Sequence, residues 1–289
     1  MTDLQINSAV FALAIGFIGL IVGSFLNVVI HRLPKMLEQD WRAQCVELLG
    51  QKDDPLGIQA PYTLAYPRSH CTQCGHALSW FENIPLLSYL RQAGKCAACH
   101  APISRRYPLV ELTSGLLAAV VAWHYGWGWQ VAGALLLTWA LIVLSAIDIE
   151  HQLLPDSITV PFLWLGLALN LEGLYTDLAS AVIGAMAGYL VLWTVYQLFK
   201  ALTGKEGVGY GDFKLLAMLG AWIGWQSLPV IIILSSFVGA ITGIGLTVLK
   251  SRDKNQPIPF GPYLACAGWI ALLWGNDITS AYLQWISGQ

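Results

Sequence analysis

The sequence predicts an all-α polytopic membrane protein with about eight transmembrane helices and a zinc-stapled cytoplasmic insertion. Three observations carry that prediction. Of 289 residues, 56% are hydrophobic and only 11% are charged, against roughly 25% charged in an ordinary soluble domain. That is too few charges to cover a surface that faces water. The apolar residues gather in long runs, near the about 20 residues a helix needs to cross the hydrocarbon. All 15 Lys and Arg fall in a few segments between those runs. The net charge of −2 argues against a nucleic-acid partner, and the 13 Trp suit anchoring at a membrane–water interface.

The first run, Ala9–Ile30, contains no charge. A cleaved signal peptide is disfavoured, because no Lys or Arg precedes the run and no small-residue cleavage site follows it. A polar stretch extends from His31 to about Tyr107. Further spans are expected near Tyr107–Trp127, Trp129–Ile147, Ile158–Leu174, Leu178–Phe199, Phe213–Trp225, Leu228–Leu249 and Phe260–Trp274. The boundary between the sixth and seventh rests on Gln226, Ser227 and Pro229. The corresponding domains are 1–30 (first span), 31–106 (cytoplasmic zinc-binding domain) and 107–289 (transmembrane domain of about seven helices).

Charge placement orients this arrangement. Arg32, Lys35, Arg42, Lys52, Arg68, Arg91, Lys95, Arg105 and Arg106 lie between spans one and two. Lys200, Lys205 and Lys214 lie beside spans five and six. Lys250, Arg252 and Lys254 lie between spans seven and eight. With eight spans these segments share one side, which the positive-inside tendency makes the cytoplasm. Both termini are then expected on the other side.

Four of the six Cys form two C-x-x-C pairs, Cys71/Cys74 and Cys96/Cys99. This is the spacing of a closed, four-thiolate structural zinc site. Two disulfides are the rival, but a cytoplasmic loop keeps its thiols reduced. Gly75 follows the first pair, where a tight turn favours Gly. His70, His76 and His100 are alternative ligands beside a set already complete. Cys45 and Cys266 read as idle thiols.

Acids are scarce near the spans, and ionisable groups at membrane depth are usually functional. Asp148 ends the third span. Asp212 opens the sixth, in Gly207-Val-Gly209-Tyr-Gly211-Asp212-Phe-Lys214. Two carboxyls brought together at the cytoplasmic boundary can share a proton, one activating water while the other protonates a substrate carbonyl, as in an aspartic protease. Gly209 and Gly211 would let a substrate backbone approach. The plainer alternative is that both acids are helix-end groups, with Asp212 and Lys214 forming a helix-start charge pattern. Asp156, after Pro155, reads as an N-cap. Glu150 and His151 read as solvated or supporting groups, and Glu111 as a buried polar partner or boundary residue. His124 lies at the outer interface. A transport role is disfavoured, since no polar trail leads from these acids across the bilayer.

Taken together the motifs resemble those of the bacterial type IV prepilin peptidase family, whose active site is of the G-x-G-D aspartic type. They comprise Gly23-Ser-Phe-Leu-Asn27-Val-Val-Ile-His31-Arg32-Leu-Pro34, the two Cys pairs, Trp80-Phe-Glu82-Asn83-Ile-Pro85, and Arg106-Tyr107-Pro108-Leu-Val-Glu111. They continue with Asp148, Leu154-Pro155-Asp156, Gly209-Tyr-Gly211-Asp212-Phe-Lys214 and Pro259-Phe-Gly261-Pro262-Tyr. The resemblance implies a multi-pass inner-membrane enzyme that removes the basic leader of type IV prepilins and pseudopilins, typically between Gly and Phe. It also implies N-methylation of the new terminus with S-adenosyl-L-methionine. Asp148 and Asp212 carry over as the catalytic acids, and methyl transfer is associated with the region of the Cys pairs. Within that region Gly94, just before Lys95 and Cys96, is the candidate for close approach of the methyl donor. No Gly-rich loop of the Rossmann kind is present to hold that donor.

Overall fold

The computed structural model describes residues 8–50, 62–205, 207, 209–248 and 258–287. Lys52, Lys250, Arg252 and Lys254 lie outside the described residues. Among those described there is no β-strand, only two isolated bridges. The chain divides into two compact units, up to Gly126 and from Trp127 onward.

The first unit contains α1 (Ser8–Leu48), a short α2 (Leu87–Arg91) and α3 (Arg106–Tyr125). Small residues bring α1 and α3 into close packing. A methyl group on Gly19 would lie 2.8 Å from the Ser114 carbonyl oxygen, and one on Gly23 would lie 2.7 Å from the Glu111 Cα. The Ser114 hydroxyl donates to the Gly19 carbonyl at 2.6 Å. The contact follows the small-xxx-small logic of membrane helix pairs, Gly19 and Gly23 being one turn apart. Asn27 Nδ2 donates to the Tyr107 carbonyl at 3.1 Å, tying the start of α3 to α1.

Two boundaries differ most from expectation: the last helix runs past Trp274 to Ser287, and the first changes more. The first helix does not stop at Ile30 but runs on to Leu48, through Pro34. The segment beyond Ile30 is polar but rich in helix formers, and Arg42 bonds Glu38 one turn back at 2.5 Å. Polarity marks where the helix leaves the apolar layer, not where it ends. Buried Arg32 secures this emergent part. It donates to the carbonyls of Thr63 (2.9 Å), Leu64 (3.2 Å) and Pro67 (2.6 Å).

The second unit contains α4 (Trp129–His151), α5 (Asp156–Leu169), α6 (Leu178–Thr203), α7 (Tyr210–Ile223), α8 (Leu228–Val248) and α9 (Gly261–Ser287). Helix α7 is its core, packed by α5, α6 and α9. Gly184 and Gly188 of α6 lie one turn apart against the backbone of α7. A methyl on Gly188 would meet the Leu216 carbonyl at 2.6 Å, and one on Gly184 would collide with Gly220. Buried Asn170, just after α5, uses its whole amide. It donates to the Ala221 and Trp222 carbonyls at 2.9 Å and accepts from the Tyr175 and Thr176 amides.

The eight longer helices coincide with the eight apolar runs. Among the described residues, four segments are long and apolar enough to cross a membrane: Ser8–Leu48, Trp129–His151, Leu178–Thr203 and Trp225–Gly245. The 14 residues of α5 and of α7 rise only about 21 Å, short of a hydrocarbon core about 30 Å thick. Exposed apolar stripes at helical spacing, Phe17, Ile21 and Phe25 on α1 and Ile233, Phe237, Ile241 and Ile244 on α8, are suited to lipid contact.

Asp156 is not an N-cap. Pro155 occupies that position, and Asp156 is the first helical residue. Its carboxylate accepts from Lys214 Nζ at 2.6 and 2.8 Å, joining the start of α5 to the first turn of α7.

Candidate metal centre and active site

Each Cys pair sits in a tight knuckle. In the first, the Gly75 amide donates to the Cys71 carbonyl at 2.9 Å and the Cys71 amide to the His76 carbonyl at 2.8 Å. The second repeats the pattern: His100 to Cys96 at 3.0 Å, and Cys96 to Ala101 at 2.9 Å. The fifth residue has a left-handed backbone in both, Gly75 at φ +73° and His100 at φ +55°. The Gly was legible in the sequence. Its counterpart was not, because the same turn holds a His there.

The knuckles bring all four sulfurs within 4.8 Å of one another. Cys71 Sγ lies 3.8 Å from Cys99 Sγ, and Cys74 Sγ lies 4.0 Å from Cys96 Sγ. A tetrahedral ion with Zn–S bonds of about 2.3 Å requires sulfurs about 3.8 Å apart, close to the spacing of the two nearest pairs, so the cluster is suited to zinc. The thiols also compete for charge. Amides of Cys74 and Gln73 draw the Cys71 thiol down to about 6. At Cys74 the His76 amide pulls the same way, but desolvation and the neighbouring sulfurs outweigh it and push that thiol up to about 12. Only a bound cation would let all four sulfurs this close ionise together. His76 is engaged elsewhere, 3.4 Å from Glu82. Glu82 also accepts from the Ser79 amide at 2.8 Å and from the Ser79 hydroxyl.

Gly94 has φ +69°, and a methyl group there would lie 3.0 Å from the Tyr89 ring. Its amide donates to the Tyr89 carbonyl at 2.9 Å, and its carbonyl accepts from Ile103 at 2.7 Å. It seats Tyr89 against the turn.

In the second unit, Asp148 occupies the last turn of α4 and Asp212 the first turn of α7; both are buried. The Gly261 amide, at the start of α9, donates to Asp148 Oδ2 at 3.0 Å. A methyl on Gly261 would fall 2.7 Å from that oxygen, so a side chain there would crowd the carboxylate. Leu154 joins the two acidic segments, lying against both Gly211 and Gly261. Asp148 and Asp212 are electrostatic neighbours. Among the described residues Asp212 Oδ1 is buried with no hydrogen-bond partner, a costly state for a carboxyl oxygen outside a working site. Tyr196, Tyr210 and Phe213 pack with ring centroids 5.3–5.7 Å apart and fix the start of α7.

The two motif glycines differ in kind. Gly211 is required by packing, since a methyl there would meet Leu154 Cβ at 2.8 Å. At Gly209 the nearest atom would be Asp212 Oδ2, at an ordinary 3.5 Å, so only this glycine leaves open backbone beside the acid. The role of Gly261 was not read from the sequence, although its Pro-Phe-Gly-Pro motif was noted. Glu111 is a buried partner whose Oε2 accepts from the Leu86 amide at 2.9 Å. Glu150 and His151 lie 4.0 Å apart near the surface.

These features define a helical membrane protein with a four-cysteine cluster in one unit and two neighbouring buried carboxyls in the other. The chain belongs to the type IV leader peptidase family. Residues 17–125 match the Bacterial Peptidase A24 N-terminal domain, and residues 135–244 match the Type IV leader peptidase family. The chain is 58% identical to a prepilin leader peptidase/N-methyltransferase of Pseudomonas aeruginosa, covering 95% of this chain and 94% of the relative. It is 57% identical to one of Stutzerimonas stutzeri (96% of each chain) and 58% identical to one of Aeromonas hydrophila (91% of each). No solved structure matches it. The protein is therefore a membrane enzyme of a peptidase family.

Proposed function

We propose that this enzyme removes the basic leader of type IV prepilins and pseudopilins and then N-methylates the exposed terminus with S-adenosyl-L-methionine. The observation that carries the peptidase half is the pair of buried carboxyls, one held by the Gly261 amide and the other with an oxygen that has no partner among the described residues. Such a pair takes a proton from water through its ionised member and gives one to the scissile carbonyl through its protonated member. As the carbonyl becomes tetrahedral, the protonated carboxyl meets the developing negative charge. The proton taken from water then passes to the departing amine as the C–N bond breaks, and the proton on the carbonyl oxygen returns to the pair. The open backbone at Gly209 suits a substrate strand laid beside Asp212. Because both acids sit at helix ends, a substrate helix lying in the bilayer can present its cut site at the boundary.

The Cys71, Cys74, Cys96 and Cys99 site holds zinc as a closed structural staple. The Lys- and Arg-bearing segments face the cytoplasm of a bacterial inner membrane, and the eight longer helices lie in it, the short α5 and α7 without reaching across alone. The methyl donor, when bound, supplies an electrophilic methyl group to the new N-terminal amine, which must first lose a proton. Mass spectrometry of a co-expressed prepilin tests both halves together. The expected product lacks the leader and carries one added methyl group. Intact prepilin, or a cleaved product that never gains a methyl, refutes the corresponding half.

A further inference from the structure

Between the two Cys knuckles, the segment from Trp80 to Arg91 exposes the wrong side chains for a surface that faces water. Trp80, Leu87 and Leu90 are 80%, 65% and 72% exposed, and Phe81 is exposed with them. Glu82, the one acid in the segment, is turned inward: its side chain is only 9% exposed and is held by Ser79. Leu87 and Leu90 lie three residues apart on α2 and share a face. The Trp80 and Phe81 rings meet edge to face at 5.8 Å, and the Arg91 guanidinium lies 5.7 Å from the centre of the Phe81 ring. A contiguous apolar patch of this kind marks a contact surface.

Two contacts fix the level of the patch along α1. The Leu86 amide donates to Glu111 Oε2 at 2.9 Å, and the α3 backbone at Glu111 packs on Gly23. The Ser24 hydroxyl lies 3.5 Å from Asn83 Oδ1. Gly23 and Ser24 belong to the charge-free run that ends at Ile30, in a helix long and apolar enough to cross a membrane. Ser24 lies six residues before that end, a rise of about 9 Å. The segment therefore reaches down beside the apolar part of α1, to the depth of about 5–10 Å at which interfacial helices lie. Phe25, next to Ser24, is exposed as well, so the patch and the lipid-facing stripe of α1 share a level.

We propose that Trp80, Phe81, Leu87 and Leu90 form an interfacial anchor that seats the region of the Cys knuckles on the anionic lipid surface of the cytoplasmic leaflet. The inference rests on the reading above that the apolar run of α1 lies in the bilayer with its Lys- and Arg-bearing end toward the cytoplasm. Lipid is the occupant because the patch is level with a membrane helix and continues its apolar surface. Its aromatic residues are of the kind enriched where membrane meets water. The charge at its rim is positive: Arg91, and four residues on Lys95, would meet lipid phosphates. From its place over Phe81, Arg91 can extend its guanidinium to the headgroups while its stem stays on apolar surface. Lipid thus supplies apolar burial that this part of the chain does not find within itself, and the knuckles are held at the membrane instead of swinging free of it.

The test places a nitroxide label at one position at a time in the full-length, zinc-loaded protein, in vesicles of phosphatidylethanolamine and phosphatidylglycerol. Cys45→Ser and Cys266→Ser remove the idle thiols, and zinc content is followed in every variant. The readout is the ratio of collisions with oxygen, which concentrates in lipid, to collisions with a water-soluble nickel chelate. Phe17→Cys, on the exposed face of α1, is the lipid reference, and Asp40→Cys, exposed on its polar part, is the water reference. Leu90→Cys should give a ratio several-fold above that of Asp40→Cys. Adding Arg91→Glu should lower the ratio at position 90, because an acid then faces the phosphates. An unchanged ratio there would overturn the part assigned to anionic headgroups. A label at position 90 as open to nickel as the one at position 40, with position 17 in lipid, would overturn the anchor alone. Position 17 open to nickel would refute the membrane reading beneath it. Protection of position 90 that appears only when prepilin is added would mark a protein-binding surface and overturn the anchor, as would dipolar broadening between labels on two copies of the chain.

Discussion

The two units solve the problem of holding a site in opposite ways. Between residues 62 and 105 of the first unit, Cys96 is the only buried residue. In the second unit, ten of the 14 residues of α7 are buried, from Asp212 to Trp222. A region that buries so little apolar surface cannot offset the entropy of ordering its chain, and four cysteines supply the missing constraint. The acidic site needs no such staple. Its helices press backbone against backbone at Gly184 and Gly220, and Asn170 and the Tyr196–Tyr210–Phe213 cluster fix the ends of α7. One cluster is arranged for a ligand to assemble it, the other is assembled by packing.

Chemistry gives the sharpest separation. Asp148→Asn and Asp212→Asn should each lower cleavage by about 10²–10⁴-fold, because an amide can neither take nor give the proton. Zinc content should stay at the wild-type level. Prepilin processing by mass spectrometry and metal analysis of the same preparations check both halves. Full cleavage in either variant removes that Asp from the site.

Removing the staple should act in the other unit. Cys96→Ser is expected to abolish zinc binding and unfold the segment around the knuckles, since structural zinc sites contribute about 10–16 kcal/mol of apparent binding energy to folding. Limited proteolysis should then cut between residues 62 and 105 while α4 to α9 stay protected. Methylation should fail outright, and cleavage should fall as far as it depends on substrate positioning. A metal-free protein with full methylation would end the proposed division of labour.

The packed unit should fail by crowding. Gly220→Val places branched carbons against the Gly184 carbonyl and should cost about 1–3 kcal/mol or more, read as a lower unfolding temperature in detergent. The paired knuckles offer the smallest and most pointed contrast. His100→Gly relieves a left-handed residue and should stabilise the metal-bound unit by about 0.5–1 kcal/mol, whereas Gly75→Ala should destabilise it by at least as much. Equal effects of the same sign at both positions would mean that the two turns are not equivalent.

The features that could be read from the sequence alone share a local cause. Apolar runs announce helices because each run needs only itself. The two C-x-x-C pairs announce a cluster because each knuckle closes within a few residues. The emergent half of α1 was hidden by equating polarity with loop, although Glu38 and Arg42 carry a helical spacing. The Gly261 amide on Asp148 spans 113 residues of sequence, and no periodicity reports a contact of that range. Asp156 yields the capping position to Pro155 and is held instead by Lys214, a partner 58 residues away that no local pattern announces. The Gly184/Gly188 and Gly19/Gly23 spacings were present in the sequence as close-packing signals, but only the structure shows which helices they join.

The unbroken length of α1 has a mechanical consequence. At about 1.5 Å per residue its 41 residues make a rod of about 60 Å, roughly twice the hydrocarbon thickness. The part that meets lipid and the polar part beyond it are therefore one lever, with Pro34 near its fulcrum. A bilayer of different thickness changes the tilt of such a helix, and the tilt is passed directly to the face bearing His31, Lys35 and Gln39. Bilayer thickness would thereby bear on the polar part of the first unit through the tilt of one helix.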